Sequence, residues 1–512
     1  MRRIAADHDA ESPVFRPSSP VIMIQTEYPI PNNETFNVFV NKEMARWNVP
    51  GLTVAVVNRA GLVFAGGYGL RDAEGHLPAS PRTVFAIGSC TKAFTSFGLG
   101  LLVDERKLTW DTPVRDVLPE FRLQDEFASD HATIRDILSH RTGLPRHDLA
   151  WFKSADTRKE ILARLAHLQP TREFRAEYQY QNIMFMVAGL IIERITGQSW
   201  EDFTQTRILN PLGMSQSFLN TADVLRQAEA ALPYQVIREQ LTRIPFYADG
   251  ETALGPAGHI QSNVLDMARW LTLQLNDGAM GGADGQRLIQ PNTLKETRKP
   301  HMPVNDPKVW AYGYEEMGHA SYGLGWRLNT YRGKWLAQHS GAIDGFGAHA
   351  SFMPNAGWGI VALGNNNSTN LPSIVAYNLY DRLLGLDEIP WSERFFQKFM
   401  AEKAQEQAEK DALAAGKKPG TRPSHPLAAY AGRYTNAGYG DVTLELRDDG
   451  LYMLYNTLGW SLAHHHFDTF TAYNQLFDDT RLVTFSAGPD GAISQAAIKL
   501  EPNMAEIEFA KF

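Results

Sequence analysis

The first candidate for chemistry is a serine followed three positions later by a lysine, in the segment Ile87-Gly-Ser89-Cys-Thr-Lys92. The apolar residues after it predict a helix from Ser89 to Glu105. Residues three apart at a helix start share one face, so the Lys92 amine can reach the Ser89 hydroxyl. That hydroxyl needs a base to become a nucleophile, and a lysine shielded from water can lose its proton and act as one. In isolation the spacing is common, and it more often marks a helix cap followed by a solvated lysine.

Two further motifs supply the other groups that such a nucleophile needs. Tyr180-Gln-Asn182 opens a predicted helix; a phenol can relay a proton to a leaving group, and an Asn amide can hold the lysine and the substrate. His339-Ser-Gly341 ends a predicted strand and is followed by Ala342. Glycine at a strand edge lets a substrate backbone lie close, and the Ala342 N–H can join that of Ser89 as an oxyanion donor. In these contexts the three motifs together predict acyl transfer to a serine.

The elements around the motifs predict one sheet assembled from both ends of a catalytic domain, with the helices between them forming a second lobe across a cleft. The predicted strands lie at 52–57, 62–64, 335–339, 346–353 and 358–363. The predicted helices lie at 34–47, 89–105, 132–140, 158–167, 182–196, 262–276 and 371–384.

Composition and turn signals divide the chain into four parts. These are a disordered tail (1–25), the catalytic domain (26–388), a connecting helix and linker (389–424) and a small all-β domain (425–512). The tail is rich in Pro, Ser and charged residues. The connecting helix alternates charge signs over 391–415 and is stopped by Gly416 and the segment KKPGTRPSHP. The last part holds short alternating strands separated by turns, which is typical of an antiparallel barrel or sandwich.

The three motifs resemble those of the penicillin-recognising serine hydrolases, which include class C β-lactamases, DD-peptidases, D-aminopeptidases and related esterases. The resemblance covers roughly residues 30–385. Further segments similar to the family are Leu138–Pro145, Asn210–Met214, Gly255–Gly258, Asp266–Ala268 and Tyr322–Trp326. The segment Leu427–Tyr434 resembles the start of a lipocalin-like module that often follows such hydrolases.

This resemblance implies an α/β fold of the β-lactamase/transpeptidase-like type: a mainly antiparallel sheet flanked by helices, a helical lobe, and then a small all-β barrel domain. It implies that Ser89 is the acylated nucleophile, Lys92 its base partner and Tyr180 the general acid/base. Asn182 would contact the substrate.

The resemblance also assigns the strand edge to substrate binding. The N–H groups of Ser89 and Ala342 would form the oxyanion hole, with Gly341 allowing the close approach. His339 stands where β-lactamases of this family carry Lys. A neutral imidazole holds a substrate carboxylate less well than an ammonium, which disfavours efficient β-lactam turnover.

Composition excludes several other classes of protein. The 512 residues are 44% hydrophobic and 21% charged, as in ordinary globular proteins, and the net charge of −8 argues against nucleic acid as a partner. No stretch approaches 18 apolar residues, so we expect no membrane-spanning helix. Without a signal-peptide core we expect a cytoplasmic protein, with a periplasmic or secreted one as the alternative if a signal has been removed. The single cysteine, Cys90, excludes an intramolecular disulfide.

Other motifs that could suggest chemistry are interpreted as structural. Cys90 and Lys92 are two apart and point to different helix faces, so Cys90 is a packing thiol. Neither the histidines 464–466 nor the pair His140 and His147 is accompanied by an HExxH or Cys-x-x-Cys motif, so we interpret them as structural. We therefore expect no metal and no cofactor.

The expected function is hydrolysis through an acyl-enzyme, with a small-molecule or peptide substrate. An amide or peptide bond, including one with a D-residue or an unusual linkage, is favoured slightly over a simple ester. A carboxylesterase or β-lactamase of the same family stays open, as does a non-catalytic penicillin-binding-like sensor or scaffold. A homo-oligomer also stays among the alternatives.

Overall fold

The computed structural model describes residues 22–25, 33–247, 253–281, 285–305, 313–448, 450–501 and 504–512. An α/β domain is followed by the long helix Trp391–Ala415 and then by a closed barrel. The fold class predicted from the sequence is confirmed.

An antiparallel sheet, with ten strands among the described residues, is the centre of the first domain. The strand Gly51–Asn58 pairs with Trp358–Gly364, so both ends of the domain join in one sheet, as predicted. In spatial order the strands are Ile22–Gln25, Gly61–Asp72, Gly51–Asn58, Trp358–Gly364, Phe346–Met353, Lys334–Ile343, Arg327–Tyr331, Met317–Tyr322 and Met302–Pro303, with Leu77–Pro78 beside Gly61–Asp72. In the described ranges, two two-stranded sheets lie outside this one: Phe85–Ala86 pairs with Gln261–Ser262, and Tyr234–Ile237 forms a hairpin with Gln240–Arg243.

Both faces of this sheet are buried because its strands are apolar at odd and even positions. In the strand Gly51–Asn58, Val54 and Val56 pack with the helices Asn33–Arg46 and Leu371–Leu383, while Ala55 and Val57 belong to the core on the opposite face. Successive side chains of a strand point to opposite faces, so a continuous apolar run is what a sheet covered on both sides requires.

The helices of the second lobe and of the outer layer carry or support the predicted motifs. Over the described residues the α-helices are Asn33–Arg46, Thr91–Asp104, Val114–Val117, Glu126–His131, Ile134–Leu138, Arg158–Arg164, Ile183–Thr196, Trp200–Thr204, Asn210–Leu212, Thr221–Leu225, Gly255–Gly258, Val264–Leu275, Pro291–Thr297, Leu371–Leu383 and Trp391–Ala415. Within the described ranges, none of them combines the length and the apolar character needed to cross a membrane.

The N-terminal segment differs from the prediction of a disordered tail over 1–25. Residues Ile22–Gln25 form an edge strand that pairs antiparallel with Gly61–Asp72. Main-chain pairing to an existing edge orders this segment whatever its composition. The rest of the predicted tail, 1–21, lies outside the described residues.

The C-terminal domain is a closed antiparallel barrel, with eight strands in the described part of the chain. The strands are Gly432–Asn436, Gly440–Arg447, Gly450–Tyr455, Leu458–His466, Thr469–Asn474, Asp479–Ala487, Ile493–Ile498 and Ile507–Lys511. The first strand pairs with the last, which removes the free edges, and alternate residues such as Val442, Leu444 and Met453 fill the interior.

Candidate active site

The predicted nucleophile lies on a tight turn directly before a buried helix. Gly88–Cys90 forms a single 3₁₀ turn, and the α-helix Thr91–Asp104 continues from it. Gly88 has φ +49°, a conformation that favours glycine. Ser89 is partly exposed, whereas the Lys92 side chain one turn later is fully buried. The turn therefore presents the hydroxyl to the cleft with the amine beneath it.

Lys92 makes three hydrogen bonds that hold its amine against the serine. Its Nζ donates to Ser89 Oγ at 3.0 Å, to Asn182 Oδ1 at 2.8 Å and to the Ala257 carbonyl at 2.9 Å. These acceptors use all three protons of an ammonium, so a lysine that has lost one keeps two contacts and offers its lone pair to the third. Ser89 Oγ is the acceptor from which a proton can return.

Tyr180 approaches the same serine oxygen from the other side. Its hydroxyl donates to Ser89 Oγ at 2.8 Å. The phenol lies two residues before Asn182, the residue that precedes the helix Ile183–Thr196, so one short segment positions both predicted side chains. The structure therefore brings together Ser89, Lys92, Tyr180 and Asn182.

The surroundings of this cluster shift the pKa values of Lys92 and Tyr180. Burial lowers the pKa of the Lys92 ammonium, although the neighbouring Tyr180 opposes the change. Burial alone would raise the pKa of Tyr180, but the Lys92 charge, the hydrogen bond with Ser89 and the Arg146 charge outweigh it, and the pKa is lowered. An amine and a phenol whose pKa values both fall are suited to accept a proton from a serine near neutral pH.

The proposed oxyanion donors come from two segments in direct contact. A methyl group on Gly341 would lie 1.9 Å from the Ile87 carbonyl oxygen and 3.1 Å from Ser89 N. A methyl group on Gly88 would lie 2.8 Å from Ala342 N. Glycine at both positions is thus required for the strand Lys334–Ile343 to lie against the turn, which places the main chain of Ser89 and Ala342 side by side.

His339 is placed beside this cluster but has both ring nitrogens bonded within the protein. Its Nδ1 lies 2.7 Å from the Ser340 carbonyl oxygen, which can only accept, so Nδ1 carries the proton. The other nitrogen, Nε2, then accepts from the Tyr322 hydroxyl at 2.9 Å. Burial, with the Arg327 and Lys92 charges, holds the pKa of His339 well below its usual range. His339 is therefore a neutral, buried ring under the strand edge.

Three charged residues of the site were missed in the sequence. Asp148 accepts from Asn182 Nδ2 at 3.2 Å and from Arg146 Nε at 2.5 Å. The guanidinium groups of Arg146 and Arg327 lie 5.2 Å and 5.7 Å from the Tyr180 ring centre. Each follows directly after a segment that resembles the family, Leu138–Pro145 or Tyr322–Trp326, and that adjacency is the signal that could have found the two arginines.

Arg327 stands out because of what surrounds it. Its Nε is buried with no hydrogen-bond partner, and the described residues include no carboxylate paired with it. The side chain remains partly exposed. A partly exposed cation next to the Tyr180 phenol can take an anionic group of a ligand.

A cavity of about 340 Å³ opens beside Ser89. The walls combine the main-chain donors and Asn182 with large apolar side chains. Those apolar residues are Leu149, Trp151, Phe152, Tyr247, Leu254 and Ile343. A few convergent polar groups among apolar walls are typical of a small-ligand site.

The residues given structural interpretations take structural positions. Cys90 is buried, its thiol donates to the His339 carbonyl at 3.2 Å, and burial raises its pKa to about 12. His140 packs against the Tyr180 ring, with ring centres 4.4 Å apart, and His147 lies between the two domains. In the described part of the chain, no three His, Cys, Asp or Glu side chains group in a way that could hold a metal ion.

Two family profiles match the chain. The family described as Beta-lactamase matches residues 36–381, and one described as Domain of unknown function (DUF3471) matches residues 416–511. The first covers most of the α/β domain, and the second covers the barrel.

Relatives and solved structures agree with these profiles. The Unguisins hydrolase ungD′ of Aspergillus campestris is 29% identical over 93% of this chain and 91% of its own length. The octameric penicillin-binding protein homologue from Pyrococcus abyssi superimposes with a TM-score of 0.63 at 21% identity, covering 94% of this chain and all of that one. A class C beta lactamase from Rhodobacter sphaeroides gives a TM-score of 0.53 at 20% identity over 69% of this chain and 99% of its own.

Proposed function

Since the chain belongs to the Beta-lactamase family of serine hydrolases, we propose that it cleaves amide bonds in peptides through an acyl-enzyme on Ser89. One observation carries the proposal: Lys92 Nζ and the Tyr180 hydroxyl both lie within hydrogen-bond distance of Ser89 Oγ, at 3.0 and 2.8 Å. A nucleophile with two tuned proton acceptors, next to two main-chain segments in contact, has the parts that acyl transfer requires.

Acylation begins when the Lys92–Tyr180 pair, one proton short, takes the proton of Ser89. The Ser89 oxygen then forms a bond to the substrate carbonyl carbon, and the negative charge moves to the carbonyl oxygen. The N–H groups of Ser89 and Ala342 stabilise that charge, because such donors are fixed in place before the reaction. Tyr180 gives the proton to the departing amine as the C–N bond breaks, which leaves the pair as it started.

Deacylation repeats these steps with water in place of the serine. The same pair takes a proton from water, the hydroxide bonds to the acyl carbon, and the proton returns to Ser89 Oγ as the ester bond breaks. The Lys92 contact with Asn182, at 2.8 Å, keeps the amine in position throughout. The net reaction consumes one water and releases an acid and an amine.

Three features of the site bear on the choice among an amide or peptide, a simple ester and a β-lactam. Tyr180 sits where it can protonate a poor leaving group, which an amine is and an activated alcohol is not. The cavity beside Ser89 is large enough, at about 340 Å³, for a peptide side chain with its neighbours. His339 has both nitrogens occupied and no charge, so it supplies no cation for a β-lactam carboxylate, and Arg327 is the cation beside Tyr180 that stays open to such a group.

The relatives support hydrolysis without fixing the substrate of this chain. The name Unguisins hydrolase gives unguisins as the substrate of the Aspergillus campestris protein, and that protein aligns over 93% of the present chain. We also propose that the chain self-associates, because the Pyrococcus abyssi homologue is octameric. Light scattering that gives only the single-chain mass would reject self-association.

A substrate panel with a labelled nucleophile tests the proposal. We expect D- or L-aminoacyl anilides to be hydrolysed faster than nitrocefin, and a fluorophosphonate to label the Ser89 peptide in mass analysis. Ser89→Ala should abolish both, whereas Ser96→Ala, a buried serine on the same helix, should keep both.

Tyr180→Phe separates the general acid from the nucleophile. It should lower kcat by roughly 10²- to 10⁴-fold with little change in KM, as expected for a lost proton-transfer group. Nitrocefin turnover above that of the anilides would instead make the chain a β-lactamase, and full activity of Ser89→Ala would end the proposal.

A further inference from the structure

One wall of the cavity beside Ser89 is a single loop, residues 146–153. It contributes Arg146, Asp148, Leu149, Trp151, Phe152 and Lys153 to the lining. Asp148 also accepts the hydrogen bond from Asn182, so the loop bears on the catalytic cluster as well as on the cavity. The shape of this loop therefore decides what fits next to the nucleophile.

The carbonyl groups of this loop are bonded by a turn of the C-terminal barrel, residues 455–457. Asn456 Nδ2 donates to the carbonyls of Leu149 and Phe152 at 3.2 and 2.9 Å. The Tyr455 hydroxyl donates to the same Leu149 carbonyl at 2.7 Å. The Thr457 N–H and hydroxyl each donate to the Lys153 carbonyl at 3.0 Å. Three wall residues, Leu149, Phe152 and Lys153, thus accept hydrogen bonds at their carbonyl groups from the C-terminal barrel.

A second set of barrel contacts fixes the start of the loop at His147. Its N–H donates to Glu501 Oε2 at 2.9 Å, and its Nε2 lies 3.0 Å from the Gln169 carbonyl oxygen. A carbonyl only accepts, so Nε2 carries the proton and Nδ1 accepts from the Tyr439 hydroxyl at 2.7 Å. Burial lowers the pKa of His147 to about 4, which keeps this ring neutral at pH 7.

The loop needs such support because its backbone is strained. His147 and Lys153 have φ of +47° and +57°, in the left-handed region that is unfavourable for non-glycine residues. Such conformations persist when surrounding contacts hold them. The contacts on both residues come in large part from the barrel, through Glu501, Tyr439 and Thr457.

We propose that Asn456 and Tyr439 of the barrel are positioning residues for the active site, which hold the 146–153 loop so that the cavity accepts a bulky apolar residue of the substrate. Neither side chain is among the residues that line the cavity. Both act through main-chain or ring atoms of the loop. The substrate part of this inference rests on the proposed function; the positioning part does not.

Asn456→Asp is the decisive variant. Asn456 has φ +53°, which Asp tolerates as well as Asn, and the two side chains have the same size. Asp removes both N–H donors and places a carboxylate against two carbonyl oxygens. Tyr439→Phe removes only the hydroxyl from His147. The control is Thr471→Ala, because that hydroxyl donates to the Ala463 carbonyl within the barrel and touches no part of the loop.

The labelling rates of two phosphonates, a small methyl fluorophosphonate and one with a benzyl group, measure how well the cavity accepts a small or a bulky group, and they do not require turnover. We expect Asn456→Asp to slow labelling of Ser89 by the benzyl probe at least 10-fold and by the methyl probe less than twofold. Anilides with a Phe residue should show a raised KM, while those with Gly should not. Amide exchange in a peptide covering 146–153 should become faster in Asn456→Asp and Tyr439→Phe and stay unchanged in Thr471→Ala.

Equal slowing of both probes, or no slowing of either, would overturn the positioning role, as would unchanged amide exchange in the loop. Failure of the proposed function gives a different pattern: wild-type protein that hydrolyses no anilide but whose loop exchange still responds to Asn456→Asp. The exchange measurement decides the positioning role even if neither probe labels the wild-type protein.

Discussion

Gly341→Ala is the sharpest test of the contact between the strand Lys334–Ile343 and the turn Gly88–Cys90, which carries the proposed nucleophile Ser89. The added methyl would lie 1.9 Å from the Ile87 carbonyl oxygen and 2.8 Å from the Ile87 carbonyl carbon. Non-bonded atoms pack at about 3.5 Å, so the strand must move back by more than about 1 Å. A displacement of about 1 Å at a reacting centre costs about 100-fold in rate. We therefore expect kcat/KM to fall about 100-fold, a barrier increase of about 2.7 kcal/mol.

The assay compares kcat and KM on one anilide with thermal unfolding of the same samples. The loss should fall mainly on kcat, because the proposed oxyanion contact would strengthen in the transition state. The matched control is Gly364→Ala in the same sheet, where the nearest atoms would lie at an ordinary 3.4 Å. If Gly341→Ala kept kcat/KM within twofold of wild type, the reasoning about this contact would be refuted. If both variants lost activity in step with their melting temperatures, the effect would be one of folding.

Two further predictions concern the cations that face Tyr180. The Arg146 charge lowers the pKa of both Tyr180 and Lys92. Arg146→Gln should therefore raise both pKa values and move the acidic limb of the kcat/KM–pH profile to higher pH. Arg146→Lys keeps the charge and should leave that limb near its wild-type position. An unmoved limb in Arg146→Gln would contradict the electrostatic role. Arg327→Met should reduce any preference for a peptide with a free carboxylate over its amide by roughly 10- to 100-fold, because that factor corresponds to the free energy of a hydrogen bond to a charged group. An unchanged ratio of kcat/KM for the acid and the amide would contradict an anion site at Arg327.

The sequence predicted the sheet and the motifs because both depend on local pattern. The strand 358–363 was placed to within one residue of Trp358–Gly364, since apolar runs bounded by glycine and turns are visible without partners. The Ser-x-x-Lys spacing likewise places both side chains on one helical turn. The roles assigned to these side chains remain proposals that the variants above test.

Barrel strands with small or polar residues were missed. The alternation of apolar residues in Leu451–Tyr455 is visible in the sequence, but Leu458–His466 contains three histidines and Ile493–Ile498 contains Ser, Gln and two Ala. Strand preference depends strongly on what the neighbours across the sheet are. Those neighbours are set by closure of the barrel, which no short window of sequence contains.

The missed parts of the site depend on contacts between distant segments. His339 was expected to face substrate, yet the Tyr322 hydroxyl takes its free nitrogen. The 146–153 loop is hydrogen-bonded by residues some 300 positions later, at 455–457. The spacing of residues along the chain does not predict such hydrogen bonds between distant segments, because they form only when the folded segments are packed together.

The pairing of Gly51–Asn58 with Trp358–Gly364 also has a consequence for how the protein is made. The centre of the sheet cannot close until about 300 residues separating the two strands have left the ribosome, and pairing over such distances is slow. A chain that stops before residue 334 carries Ser89 and Lys92 but lacks the strand Lys334–Ile343 that lies against them. Prematurely terminated chains and N-terminal breakdown fragments should therefore be inert, so that hydrolytic activity is released in the cell only after the catalytic domain has been completed.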